Sequence, residues 1–166
     1  MAETAMSGVE LDDIQGLLRW GFGRHTEAVF LLLRVKDAGA ARQWLRRLEP
    51  TSSVRARASL GAVPDTLLQV ALTSDGMRAL GVRPDIISGF SEEFLEGMTG
   101  DANRTRRLGD IGASAHDRWV WGSGDRVPHV AVLLYARPGC LESFQRSIET
   151  ASARRPEGYR RDCRAL

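Results

Sequence analysis

Apolar positions in this chain gather into short continuous runs, separated by stretches in which they recur at helical spacing. Residues 29–35 are almost entirely Val, Phe and Leu, the pattern of a strand covered on both faces. Residues 67–73 and 127–136 read the same way and complete a set of three firm strands. A fourth run, residues 14–20, lies between Asp12-Asp13 and the glycines Gly21 and Gly23, and predicts a strand ending in a turn.

Between the runs the period changes. Asp37 supplies an N-cap, and Ala38, Ala41, Trp44, Leu45 and Leu48 follow on one helical face. That helix must stop before Pro50, because proline disfavours helical geometry in the residue before it. Ser74 is placed to cap a short helix carrying Met77 and Leu80 and closed by Gly81. Pro84 opens a turn with Ile86, Ile87 and Phe90. Ser91 restarts the helix with Phe94, Leu95 and Met98. Pro138 opens the last helix, with Leu141, Phe144, Ile148 and Ala151 along one face. Residues 51–64 read as a polar loop or weak strand. Residues 100–127 keep no period at all and are rich in Gly, Asp, Arg and Ser, with Trp119 and Trp121 embedded as expected packing anchors. A loop of that length is functional, covered by a partner, or disordered.

Strand, helix, strand, helical insertion, strand, helix is the order of an α+β sandwich of the ferredoxin-like (dimeric α/β-barrel) kind, with helices on one face of an antiparallel sheet. A full βαββαβ unit needs one more strand, and residues 160–166, the stretch left for it, are a poor strand sequence. The expected organisation is a flexible start (1–12), one domain (13–153) and a basic tail (154–166).

Composition narrows the function classes. A chain of 166 residues with 43% apolar content builds one domain with a real core. A net charge of +2 excludes an electrostatic grip on nucleic acid or an anionic membrane. Lys36 is the only lysine among 23 basic residues, a compositional habit rather than a recognition surface. The acidic, polar start lacks the form of a secretory signal, and no run approaches the length of a membrane span. The expected setting is the cytoplasm, with Cys140 and Cys163 as reduced thiols.

Candidate chemistry is sparse. A haem or metal ligand must be a neutral imidazole held by a partner in a dry pocket. His25 sits in a turn and His116 in a polar loop, and both are expected to be solvated. His129 opens a strand after Pro128 and is the one histidine placed to approach a cofactor. No pair has zinc spacing. Gly21-Phe22-Gly23 and Gly109-Asp110-Ile111-Gly112 read as turns, because neither joins a strand to a helix in a phosphate-binding pattern. Asp110 beside Arg106 and Arg107 suggests at most an exposed ion pair. The residues alone predict no catalytic, no cofactor-binding and no metal-binding position.

A resemblance adds to this. Asp13-Ile14-Gln15-Gly16-Leu17-Leu18 resembles the opening segment of dye-decolourising-type haem peroxidases. LLQVALTSDGMRALG at 67–81 is similar to that family's strand and short helix. Gly89-Phe90, Ser91-Glu92-Glu93-Phe94 and Glu96-Gly97-Met98 match its next helical stretch. Arg107-Leu108-Gly109-Asp110, Trp119 and residues 129–135 follow in order, so the resemblance runs from about 12 to 149.

The resemblance implies a peroxide-dependent oxidation of dyes and other reductants by a protein of two ferredoxin-like halves, the haem held mainly by the second. The family's distal Gly-x-x-Asp-Gly aspartate and a later arginine assist peroxide cleavage, and a later histidine binds the iron. This sequence has no Gly-x-x-Asp-Gly. Its Asp75-Gly76 lacks the preceding glycine, and the sequence stops about where the motif would begin.

The resemblance therefore implies the amino-terminal half alone: inactive by itself, not binding haem unaided, or one component of a split enzyme. An uncovered apolar surface is expected, to be met by a second copy or by a chain supplying the other half. The alternative is a non-catalytic ferredoxin-like interaction module. A third reading is a small dimeric ferredoxin-like oxygenase, with His129 as the residue to test.

Overall fold

The computed structural model describes residues 10–56 and 63–153. The expected start and basic tail therefore fall largely outside the described residues. Three strands, β1 (Glu27–Leu33), β2 (Thr66–Leu72) and β3 (Val130–Ala136), form one sheet in the order β1-β3-β2, with both pairings antiparallel. Six helices accompany them: α1 (Ala38–Leu45), α2 (Ser74–Ala79), α3 (Pro84–Ile87), α4 (Glu92–Glu96), α5 (Ala102–Leu108) and α6 (Leu141–Ala153). This is the ferredoxin-like arrangement expected of the pattern, with β1 and β2 held apart by β3.

One face of the sheet carries the core. Leu31, Leu33, Leu68, Val130, Val132 and Leu134 are buried together with Leu48. Trp44 and Leu45 of α1, and Leu141, Phe144 and Ile148 of α6, pack onto them. The register explains the alignment, since Leu134 stands between Val29 and Leu68, and Val132 between Leu31 and Val70. Asp37 accepts the Ala40 amide at 2.6 Å and starts α1 as expected. The cap of α2 is Thr73 rather than Ser74: its hydroxyl oxygen accepts the Gly76 amide at 3.0 Å, and Ser74 is the first helical residue. Gly81 ends that segment at φ +77 as expected. α6 begins at Leu141, its amide and that of Gly139 donating to the Glu27 carboxylate.

Two expectations need correction. Residues 14–20 are not a strand. They form two 3-10 turns, Leu11–Asp13 and Gly16–Leu18, around a single bridge from Gln15 to Ser52. The apolar run reads like a strand because burial, not pairing, sets its composition. Residues 100–127 are not an irregular loop throughout. Asp101 accepts the Asn103 amide to cap α5, Gly109 closes it at φ +80, and three 3-10 turns follow. α5 escapes periodicity because its residues bury nothing.

The second face of the sheet is partly covered. The segment from Gln15 to His25 lies over its β2 side, where Leu67 and Gln69 are buried. Towards β1 the cover ends. Ala28 and Phe30 are exposed, and Leu32, Ala131, Leu133 and Tyr135 are half-buried. The apolar strand at 29–35 is thus covered on one face only, against the expectation of two.

Candidate functional site

The second sheet face and the three histidines are where chemistry has to be sought. Gln69 is 2% exposed on that face, yet its amide is fully used. Its Nε2 donates to the carbonyls of Thr51 (3.0 Å) and Leu68 (2.6 Å), and its Oε1 accepts the Leu17 amide at 3.1 Å. Gln15 lies along the outer edge of β2 as a substitute strand. Its Nε2 donates to the Val70 carbonyl at 2.8 Å and its Oε1 accepts the Val70 amide at 2.6 Å. Thr51 closes the same edge at Leu68, accepting its amide at the hydroxyl and donating its own amide to the Leu68 carbonyl. A Cβ on Gly16 would meet the Ala56 methyl at 2.7 Å, so this approach requires glycine. Asp13-Ile14-Gln15-Gly16 is therefore an edge-closing device.

The histidines are placed differently from the sequence expectation. His25 is not solvated but 6% exposed, its Nε2–H donating to the Pro64 carbonyl at 2.8 Å beside the edge of Phe22. His116 is half-buried, with Nδ1 3.2 Å from the Ser123 hydroxyl and its ring edge-on to Trp119. His129 lies at the start of β3. Its Nδ1 accepts the Val35 amide at 3.0 Å, its main-chain N–H donates to Leu33, and its carbonyl accepts Thr73. Burial, and next the Arg34 charge, hold its pKa below the ordinary imidazole value, with Asp75 opposing.

These bonds decide what each imidazole can ligate. An Nδ1 that accepts leaves the proton on Nε2, so neutral His129 has no lone pair for iron at either nitrogen. His25 has likewise committed Nε2 as a donor. His116 alone among the described histidines has a bond compatible with an accepting Nε2, because the Ser123 hydroxyl accepts as readily as it donates. Its neighbours Asp117, Arg118, Val120 and Trp121 are exposed, which is not the dry, walled setting a haem ligand needs. The residues present do not fit a haem site, and no step is derived through one.

The remaining candidates are structural. Asp75, of the Asp-Gly pair, forms an exposed ion pair with Arg78 at 2.8 Å. Gly76 packs so closely that an added Cβ would stand 1.8 Å from the His129 carbonyl oxygen. Asp110 makes no ion pair with Arg106 or Arg107 among the described residues. Trp119 anchors its loop by donating to the Ser114 carbonyl at 2.9 Å, whereas Trp121 is 52% exposed and anchors nothing. Cys140 is a free thiol, and Cys163 lies outside the described residues. Tyr135 stands on the half-open face edge-on to Phe22 and Phe30, and burial raises its pKa. No group of three or more His, Cys, Asp or Glu side chains is arranged to hold a metal among the described residues. No described helix is long and apolar enough to cross a membrane. What sequence reasoning missed is the half-open apolar face itself, which continuous apolar runs disguise.

No family model and no curated protein matches the chain. Solved structures do. A dye-decolourising peroxidase in complex with 2,6-dimethoxyphenol is similar at a TM-score of 0.70 and 22% identity, over 88% of this chain and 32% of that one. A fungal dye-decolourising-type peroxidase of Auricularia auricula-judae is similar at 0.69 and 19% identity, over 94% and 32%. A peroxidase of the same type from Anabaena follows at 0.61 and 20%, over 87% and 32%. The chain thus spans about a third of the length of these structures and shares the fold of that third.

Proposed function

We propose that this chain is a scaffold domain of a dye-decolourising-type peroxidase assembly, silent alone and completed by another chain that carries the haem. The observation that carries the proposal is the extent of the fold likeness. It takes in nearly the whole chain yet only 32% of each solved peroxidase. The commitment of His25 and His129 to structural bonds supports assigning the iron ligand to the partner. So does the lack of a Gly-x-x-Asp-Gly segment in the sequence. In this reading residues 13–153 are the working unit, and the half-open face with Phe30 and Tyr135 is where the haem-bearing chain docks. The assembly works in the cytoplasm, away from nucleic acid and membrane.

The test is peroxide-dependent dye oxidation by the purified chain supplied with haem. The expected rate equals that of free haem, and multiple turnover above it contradicts the proposal. A second reading, an interaction module with no link to peroxide, draws on the same exposed Ala28 and Phe30. It is favoured if a haem-bearing chain of this fold class, added in excess, neither binds nor gains activity.

A further inference from the structure

We propose that the outer edge of β1 is a dimer interface that pairs, antiparallel, with the same edge of a second copy about a twofold axis at Phe30. The inference rests on strand topology and stands whether or not the assembly uses peroxide.

The two outer edges of the sheet are treated differently. The β2 edge is closed, because the main chains of Leu68 and Val70 bond outward to Thr51 and Gln15. That fixes the direction of every other residue. Leu67, Gln69 and Ala71 must then hold β3 through Tyr135, Leu133 and Ala131. Leu134, Val132 and Val130 are left for β1 through Val29, Leu31 and Leu33. The N–H and C=O groups of Ala28, Phe30 and Leu32 consequently point away from the sheet, and no backbone partner meets them among the described residues.

Natural sheets blunt such an edge with lysine, proline, a bulge or an inward charge. β1 carries none of these. Its one charged residue, Glu27, spends its carboxylate on the amides of Gly139 and Leu141.

A second copy fits this edge by sequence. Placing Phe30 opposite Phe30 is the register that uses all three outward residues, and it sets Ala28 against Leu32 in both directions, small against large. It also places Arg34 opposite Thr26, so like charges do not face each other. The aromatic pair at the axis extends the contact between Phe30 and Tyr135 across the junction. The product is one six-stranded sheet whose half-open apolar face is continuous.

The experiment is sedimentation equilibrium of the full chain at micromolar to submillimolar concentration, with Phe30→Lys and Phe30→Glu as variants. Phe30 is 41% exposed, so the monomer fold tolerates either charge. The wild type is expected to be a dimer. Each variant alone is expected to dissociate at least ~100-fold more readily, because like charges then stand opposite each other at the axis. Mixing the two variants is expected to restore a heterodimer. Should they fail to fold by circular dichroism, Ala28→Lys replaces them, with the same loss of dimer expected.

A monomeric wild type overturns the proposal. So does a dimer that survives both charges. A monomer that dimerises only when residues 154–166 are deleted also overturns it, by assigning the edge to the chain's own tail.

Discussion

Protonation of His129 would set two donors, its ring Nδ1–H and the Val35 amide, against each other at 3.0 Å. The ring is also partly withdrawn from water and close to Arg34, so its folded pKa lies below the ordinary value. The sign follows by linkage. The folded chain binds this proton less readily than the unfolded chain. The stability contributed by neutral His129 is therefore complete above the unfolded pKa, near ~6.5, and is lost as pH falls towards the folded one. Melting temperature should fall from neutral pH into the mildly acidic range. His129→Asn, whose Oδ1 still accepts from Val35, should flatten part of that fall. Parallel acid limbs for wild type and variant would show that His129 is not responsible. Sequence alone marked His129 as the histidine nearest to chemistry. It could not show that the lone pair was already taken, because Val35 is 94 residues distant.

Short elements here are defined by side chains that bond to distant backbone. Gln15 stands in for a strand at Val70, so Gln15→Ala should expose that amide. Its hydrogen-exchange protection should drop selectively, with a stability loss of about 1–2 kcal/mol for the two lost bonds. Unchanged protection at Val70 would show that the edge is closed by something else. α2 depends on a different device, the approach of Gly76 to the His129 backbone. Gly76→Ala should cost about 3 kcal/mol, measured by urea denaturation, because backbone rather than a flexible side chain must give way. A loss below ~0.5 kcal/mol would mean that the packing relaxes freely.

These cases explain which elements were legible. β1, β2 and β3 announce themselves as apolar runs, and α1 and α6 by period and cap. The segment 14–20 misleads because its apolar residues serve burial over β2 rather than pairing. α5 is invisible to periodicity, although Asp101 before it and Gly109 after it are the local signals that mark its ends.

At the scale of the whole molecule, the continuous apolar runs foretold a sheet buried on both faces. The chain covers one face with α1 and α6 and the other only beside β2. An apolar face with exposed Phe30 beside an unblunted edge belongs to an assembly. This is how the chain can share the fold of a third of a peroxidase without holding a reaction of its own. The candidate site was legible as an absence of motif. Its positive content, the open face, was not, because only the register says which residues of an apolar strand lack a neighbour.

The central claim is that this domain supports haem chemistry without ligating haem. Spectral titration of the purified chain with haem tests it most directly, with His116→Ala and His129→Ala alongside. The account predicts weak, non-saturating spectra without a ligated Soret band, unchanged by either substitution. A stoichiometric Soret species abolished by one of them would contradict it and make that imidazole an iron ligand.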